Sequence, residues 1–555
     1  MLPFYNLYDG TYKLVEYSIF NNLSDKDIND YLSNISSEIN EKSVNTEYQS
    51  DGANFVGVLI DRIKGSLCGL GIGDAVGGPL EFSSVVSTKS IPNGNANIFQ
   101  KETKPSSSST KTKSSLFSFF NLKNKSRGVN KNESKMTSEP PLPPYTTNRD
   151  LNKNRFGIEA TELNYKYQPV NKFSLKPGQF TDDTSMALCL ADSLIYSSSK
   201  ILQEQITMNF VNESLKSVIQ KMKEITAKFD EEENVIPDSN CENEDDTRDF
   251  YDAKDLRCRF VCWWNQGYNI SFRFDDKRST RESFGVGRNT GASLRQINQA
   301  KSLTQIPLTC DKDCEGAGNG SIMRLAPVAI RFCNNLELAL KVAKQQSEAT
   351  HPGRMASEAC RFLTFILVRA ITRPSFKSSA NSNQTEDNIQ AFLDSCAEQY
   401  LKGYEDQIDS RFVRLIKASE KSDSLEENWN WRAKYLPLSE VCKRRIDDPS
   451  HKYNPYEVVR EYFGIYAPDG LAIALFSAYN TTNFDDAIQL CVNHLGDADT
   501  NTAICGQICG AFYGFENINP ILRQNLSLWD RNEIALRSVL LYSLQQFDQF
   551  RFSIK

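Results

Sequence analysis

The sequence predicts an all-α protein. Apolar residues recur at helical spacing along the chain, few segments alternate apolar and polar residues, and glycines recur every fourth residue in two places. The helical pattern is strongest in six stretches: 55–70, 183–197, 354–371, 468–479, 501–514 and 533–546. At roughly 150 residues per domain the chain could hold three or four domains. We instead expect one compact helical domain over residues 51–555 and a polar extension over residues 1–50.

In the extension, Ser24 and Asp27 have the spacing of a capping box just ahead of Ile28, Leu32 and Ile35. This pattern predicts one short amphipathic helix.

Three long polar stretches explain the excess length. Residues 99–150 are rich in Ser, Lys and Pro, and residues 101–135 carry nine Lys or Arg against two Glu. Residues 230–249 hold ten Asp or Glu and one Arg, and residues 375–387 are polar without a pattern. We expect all three to be disordered surface insertions. For the first, a partner-binding or phosphorylated segment is the alternative.

Composition limits the class of protein and its partners. Hydrophobic residues make up 39% and charged residues 24% of the 555 residues, which excludes a collagen and a wholly disordered chain. The net charge of -6 gives no reason to expect nucleic acid as a partner. No apolar run reaches the length of a membrane span, and the first residues lack a signal-peptide pattern. We therefore expect a cytoplasmic protein, with the nucleus as the alternative location. We also expect it to be a monomer.

The first motif with chemical content is a glycine repeat. Gly65, Gly69, Gly73 and Gly77 line one face of a predicted helix, although each glycine costs about 1 kcal/mol of helix stability relative to alanine. The repeat therefore indicates very close packing against another helix, and the charged residues among the glycines exclude a bilayer. Asp74 lies within this motif, and Glu81 follows it.

Two acidic motifs follow, each at the start of a predicted helix. The first contains Thr181, Asp182 and Asp183; the second contains Asp497, Asp499 and Thr500. Capping of the helix is one interpretation of each motif alone. Together they offer four carboxylates and two hydroxyls, which are the ligands that Mg²⁺ or Mn²⁺ prefers. The chain has only three histidines, which argues against zinc.

A glycine-rich loop, residues 318–321, is the third candidate. Such a loop can present backbone N–H groups to phosphate oxygens, although an ordinary turn fits the pattern as well. His351 lies ahead of a long predicted helix and is interpreted either as a structural histidine or as a donor to a ligand.

In this order, the motifs resemble those of the ADP-ribosylglycohydrolase family. The matching pieces are GSLCGLGIGDAVGGPLE, GQFTDDTSMALCLADSL, GAGNGSIMR, THP and GDADTNTAICGQICGAFYG. The resemblance implies a compact all-α fold with two Mg²⁺ ions at its centre. It implies that the metal ligands are Thr181, Asp182, Asp183, Asp497, Asp499 and Thr500. It also implies that the diphosphate and ribose are held by Gly318, Asn319, Gly320 and Ser321, with His351 nearby.

The resemblance makes Glu81 the acidic residue beside the metal centre. Two features depart from the family pattern: Leu495 replaces the first of two glycines, and the basic insertion lengthens the segment between Glu81 and Asp182.

The resemblance implies metal-assisted hydrolysis of an ADP-ribosyl bond, with Glu81 or Asp499 as general acid or base. The substrate would be an ADP-ribosylated protein or a small ADP-ribosyl conjugate. The linkage, whether to arginine, serine or another acceptor, is not readable from the sequence. We expect specificity to depend on residues 263–265 and 285–290. One alternative is a non-catalytic, crystallin-like protein on the same fold. A second alternative is a metal-dependent hydrolase of another nucleotide or phosphoester.

Overall fold

The computed structural model confirms the all-α prediction. The residues that it describes are 5–6, 11–12, 24, 26–34, 52–81, 171–205, 250–278, 283–299, 317–374, 388–418, 429–436, 438, 441, 452–453, 456–457 and 463–554. The predicted insertions 99–150, 230–249 and 375–387 lie outside these residues. The division into two segments at residue 51 also stays a prediction.

Helices form nearly all of the described regular structure, and the six stretches with the strongest helical pattern are all helical. In chain order the helices are α1 (26–34), α2 (Gly52–Gly77), α3 (Asp182–Gln205), α4 (Ala253–Gln266), α5 (Arg288–Gln299), α6 (Ala326–Arg331), α7 (Leu336–Glu348), α8 (Arg354–Thr372), α9 (Ile389–Tyr404), α10 (Ser410–Lys417), α11 (Ala467–Tyr479), α12 (Phe484–Val492), α13 (Ala498–Tyr513), α14 (Pro520–Asp530) and α15 (Glu533–Ile554).

The strands are two antiparallel pairs of two residues each. In the first, Tyr5–Asn6 pairs with Thr11–Tyr12; in the second, Lys452–Tyr453 pairs with Tyr456–Glu457.

The predicted close packing is found between α2 and α13 at the centre of the molecule. A Cβ atom added to Gly65 would collide with the carbonyl oxygen of Gly510, and one added to Gly510 would collide with that of Gly65. The same reciprocal collision relates Gly69 and Gly506. Glycine is therefore needed on both helices, because no other side chain fits between the two backbones. This pair places the end of α2 beside the start of α13.

The capping box in the extension is also confirmed. The Ser24 hydroxyl and backbone N–H both donate to the Asp27 carboxylate, and the Asp27 backbone N–H donates to the Ser24 hydroxyl. The helix that follows, α1, buries Ile28 completely in the core, and Asn29 accepts a hydrogen bond from Asn532 at 3.0 Å. This short helix therefore packs on the helical domain.

A buried ionic network holds α3 and α15 together. Arg537 donates to Asp192 at 2.8 Å and to Glu533 at 3.1 Å, and Tyr268 donates to Asp192 at 2.5 Å. Glu533 also pairs with Arg273 at 2.9 Å. Each charge thus has a partner of opposite sign within the protein.

Ten cysteines in the described part of the chain are free and buried, as is typical of cysteines that pack as small apolar residues. None of the described helices is long and apolar enough to cross a membrane.

Candidate active site

The two acidic motifs converge where α2, α3 and α13 meet. Asp182 and Asp183 occupy the first turn of α3. Asp499 occupies the first turn of α13, and Asp497 is the residue that precedes this helix. We call Asp74, Glu81, Asp182, Asp183, Asp497 and Asp499 the acidic cluster. In each of two groups, carboxylate oxygens lie within 4.8 Å of one another: Asp74, Asp183 and Asp499 in one, and Glu81, Asp497 and Asp499 in the other.

Helix capping does not explain the second motif, because Asp497 makes no capping hydrogen bond with its side chain. The Thr181 hydroxyl faces the cluster: it lies 3.1 Å from Asp183 Oδ2 and 3.4 Å from Asp499 Oδ2. The Thr500 hydroxyl has a different neighbour from that of Thr181, because it lies 4.0 Å from Met323 Sδ. The predicted ligand roles of both threonines stay predictions.

Asp74 is a site residue to which the sequence analysis gave no role. Its carboxylate accepts hydrogen bonds from the backbone N–H groups of Thr181 and Thr184, each at 2.9 Å, and from their hydroxyls at 2.7 and 2.6 Å. Asp74 on α2 therefore caps the start of α3. The sequence signal was an acidic residue inside the glycine repeat, but its partners lie more than a hundred residues away and could not be read from spacing.

Burial and mutual repulsion raise the pKa of Asp182, Asp183 and Asp499 well above the usual range for aspartate. Burial and the charge of Asp499 do the same to the pKa of Glu81. Two oxygens of the cluster, Asp183 Oδ1 and Glu81 Oε2, are buried without a hydrogen-bond partner. Crowded carboxylates with orphaned oxygens fit a divalent cation, because a cation would satisfy these oxygens and cancel the repulsion.

The glycine-rich loop is in contact with the acidic cluster. Residues Asn319–Ser321 form a 3₁₀ turn, and the Asn319 side-chain amide donates to both Asp497 Oδ2 and the carbonyl oxygen of Gly464. The backbone N–H of Asn319 donates to Ile465 at 2.9 Å, while that of Asp497 donates to Phe463 at 2.8 Å. Residues 463–465 thus connect the glycine-rich loop to the acidic cluster through backbone carbonyl groups.

His351 packs against the glycine-rich loop. Its ring is 3% exposed, and a Cβ atom added to Gly320 would lie 2.7 Å from its Cε1 atom. Burial and the nearby Arg324 lower the pKa of His351 to about 3, so the imidazole is neutral at physiological pH. Its Nδ1 atom lies 2.8 Å from the Thr350 hydroxyl.

A family model described as ADP-ribosylglycohydrolase matches residues 57–547. The chain belongs to the ADP-ribosylglycohydrolase family. The expected resemblance is therefore confirmed.

Curated proteins of similar sequence were also found. It is 26% identical over 347 residues to the ADP-ribosylarginine hydrolase Tri1 of Serratia proteamaculans, covering 62% of this chain and 63% of that protein. It is 23% identical over 379 residues to the protein of the same name from Pseudomonas putida, covering 68% of this chain and 70% of that protein. The chain therefore spans less than two thirds of the Serratia protein.

Two further similarities were found. The chain is 21% identical to the uncharacterised protein YegU of Escherichia coli, covering 63% of this chain and 75% of that protein. A solved structure described as an ADP-ribosylglycohydrolase-related protein complex matches 88% of this chain and 99% of its own, with a TM-score of 0.45 and 20% identity.

The departure from the family's glycine pattern appears in the backbone. Leu495 has a φ of 58°, in the left-handed region that a branched side chain rarely adopts, and Gly496 follows with a φ of 66°. The Leu495 side chain is buried against the core. The chain thus keeps the backbone shape that favours glycine while placing a leucine there.

Of the two predicted specificity segments, residues 285–290 border the site. Gly285 has a φ of 87°, and a Cβ atom there would collide with the Asp182 carboxylate. At the other end, a Cβ atom added to Gly318 would lie 3.1 Å from Asn289 Nδ2. In the segment 263–265, Trp263 is 1% exposed within the core and cannot line an open surface.

Proposed function

We propose that this protein is a Mg²⁺-dependent hydrolase that cleaves the N-glycosidic bond between ADP-ribose and an arginine side chain. The observation that carries the proposal is the contact of Asn319 with Asp497, because it joins a glycine-rich loop, of the kind that can bind phosphate, to a cluster of closely spaced carboxylates. The family supports an ADP-ribosyl substrate, and the two relatives named ADP-ribosylarginine hydrolase support arginine as the acceptor.

The cation ligands that we propose are Thr181, Asp182, Asp183, Asp497, Asp499 and Thr500. We propose two Mg²⁺ ions, with Mn²⁺ as a substitute, because every ligand is a hard oxygen. When bound, the cations would supply Lewis-acid polarisation of the ribose hydroxyls. The glycine-rich loop would hold the diphosphate through its backbone N–H groups.

Glu81 and Asp499 would move the protons. Their side chains share a hydrogen bond, which raises the pKa of Glu81 and opposes the rise in the pKa of Asp499 that burial causes. We propose that Glu81 holds the shared proton. The pair thus contains one acid and one base. In the proposed step, water attacks the anomeric carbon of the ribose and passes a proton to Asp499. The carbon–nitrogen bond breaks, and Glu81 gives its proton to the departing guanidino nitrogen. The products are ADP-ribose and unmodified arginine.

The test is to incubate the full-length protein with matched peptides that carry ADP-ribose on arginine or on serine. We expect ADP-ribose release from the arginine peptide, its loss in EDTA and its return with Mg²⁺. Glu81→Gln should slow release by about 10²–10⁴-fold while ADP-ribose still binds. Release from serine alone would overturn the assigned linkage, and ADP-ribose binding without turnover on either peptide would favour the non-catalytic alternative.

We also propose ADP-ribosylated cytoplasmic proteins as the substrates, because free thiols are typical of a reducing compartment. Fractionation of cells that express a tagged full-length protein would test this location.

A further inference from the structure

Arg324, just after the glycine-rich loop, is a buried cation without an acidic partner. It is 0% exposed, and its guanidinium donates to the side chain and the backbone carbonyl of Gln346 at 2.9 and 2.8 Å, and to the Thr350 hydroxyl at 2.8 Å. Its third nitrogen, Nη1, has no hydrogen-bond partner. No carboxylate in the described part of the chain forms an ion pair with it.

Two other buried arginines have carboxylate partners. Arg537 pairs with Asp192 and Glu533, and Arg259 pairs with Asp255 at 2.7 Å. The groups that face Arg324 are neutral. They are the Phe260 ring, whose centroid lies 4.5 Å from the guanidinium carbon, the phenol of Tyr251 and two thiols. Burial lowers the pKa of Arg324 to about 10, so it still carries its charge at pH 7. An isolated buried charge is costly, and its retention beside a candidate ligand loop indicates that an anion compensates it.

Arg324 is connected to both sides of the glycine-rich loop. The Gln346 side chain that accepts from Arg324 donates its own amide to the carbonyl oxygen of Ser321 at 3.0 Å. The Thr350 hydroxyl that accepts from Arg324 is then free to donate its hydrogen to Nδ1 of His351. This pairing leaves the proton of the neutral imidazole on Nε2, beside Gly318 and Gly320.

We propose that Arg324 is a positioning residue for the glycine-rich loop and that its unpaired charge selects a ligand carrying phosphate. Through Gln346 it fixes the Ser321 end of the loop, and through Thr350 it fixes the tautomer of His351. The identity of that ligand as the diphosphate of ADP-ribose rests on the proposed function. The selection of a phosphate anion rests on Arg324 alone.

The experiment compares Arg324→Met and Arg324→Lys with Arg331→Met in the full chain. Arg331 is also 0% exposed and donates to Ser198, away from the loop, so it is a control of equal burial. Calorimetry would measure binding of ADP-ribose, inorganic pyrophosphate and ribose. We expect Arg324→Met to weaken ADP-ribose and pyrophosphate binding by about 10- to 100-fold, to leave ribose binding unchanged and to raise KM more than it lowers kcat. Arg324→Lys should restore part of the affinity, and Arg331→Met should bind as wild type.

Thr350→Val provides a second variant that removes one connection and keeps the charge. We expect the ¹⁵N shifts of His351 to show the Nε2–H tautomer in the wild type and a mixture of tautomers in Thr350→Val. Equal loss of affinity in Arg324→Met and Arg331→Met would overturn the proposal. If Arg324→Met does not fold, unchanged pyrophosphate binding in both Arg324→Lys and Thr350→Val would overturn the proposal. A wild-type protein that binds neither ADP-ribose nor pyrophosphate would also overturn it. A wild type that binds pyrophosphate through Arg324 but does not release ADP-ribose would refute the proposed function and leave this inference standing.

Discussion

The charged groups around Arg537 and those around Asp499 are about equally buried, but the protein compensates them differently. Arg537 is 0% exposed and has two carboxylates within 3.1 Å, whereas Asp499 is 2% exposed and faces further carboxylates. Burial alone would raise the pKa of Asp192, yet Arg537 more than offsets this effect, and the pKa lies below its usual value. For Asp499, burial and the charges of Asp497 and Asp74 outweigh the groups that lower its pKa, and the pKa is raised.

The difference separates a charge network that serves the fold from one that serves a ligand. Removing either partner of a closed network leaves an uncompensated buried charge, so the network contributes to stability only as a whole. Removing Asp499 from the acidic cluster should relieve repulsion, so we expect the folded state not to need it. Asp74 is different, because it caps the start of α3. The protein tolerates the cluster because something outside the chain, in our proposal Mg²⁺, balances it.

The largest expected effect is on the cluster. Asp499→Asn should reduce ADP-ribose release by about 10²–10⁴-fold, because it removes both a ligand oxygen and the proposed base. In EDTA the same variant should melt at a temperature equal to or above that of the wild type, because one repelling charge is gone. Turnover assays and thermal unfolding measure the two properties. A large loss of stability with activity retained would reverse the assignment.

Arg537→Met should give the opposite pattern. We expect the free energy of unfolding to fall by about 3–5 kcal/mol, because Asp192 loses its ion pair in the core and Glu533 keeps only Arg273. Urea unfolding measures this loss, and the molecules that stay folded should keep their Mg²⁺ affinity. Lys402→Met, at an exposed position, is the control and should change stability by less than about 0.5 kcal/mol.

Gly69→Ala tests the helix pair that positions the cluster. The added methyl group meets the backbone of Gly506, so we expect a loss of about 1–3 kcal/mol of stability together with weaker Mg²⁺ binding. Gly57 lies on the same helix with nothing within 4 Å of an added Cβ, and Gly57→Ala should stabilise by about 0.5–1 kcal/mol. Equal effects from the two substitutions, measured by urea unfolding and Mg²⁺ titration, would argue against a role for the close approach.

The smallest expected effect is a pH dependence of opposite sign in the two regions. Groups with raised pKa values bind more protons in the folded than in the unfolded state. The cation-free protein should therefore lose stability as pH rises from about 4 through the folded-state pKa values. Asp192, with its lowered pKa, contributes stability above about pH 4 that disappears only in stronger acid.

Urea unfolding between pH 5 and 8 would measure this slope, and Mg²⁺ should flatten it. Asp530, whose pKa burial raises to about 7, contributes in the same direction. The substitution Asp530→Asn removes the contribution of Asp530 to the slope of stability against pH. A slope that Mg²⁺ does not change in that background would contradict a cation site in the cluster.

The sequence by itself determined the helices, the glycine repeat and the two acidic motifs. Helical periodicity and capping depend on residues only a few positions apart, and this is why the six predicted stretches and the capping box at Ser24 agree with the structure. The resemblance to the family depended on the same local motifs. These features are local, so the order of residues is sufficient to reveal them.

Only the tertiary structure decided which partners the polar groups obtained. Asp74 caps a helix 107 positions away, Asn319 reaches Asp497 across 178 positions, and Arg324 has no carboxylate partner among the described residues. The burial of Trp263 was equally unreadable, because the same helical pattern suits a core and a partly open face. A buried polar group takes its partner from whichever helix packs against it, and that choice depends on how the helices pack over the whole domain.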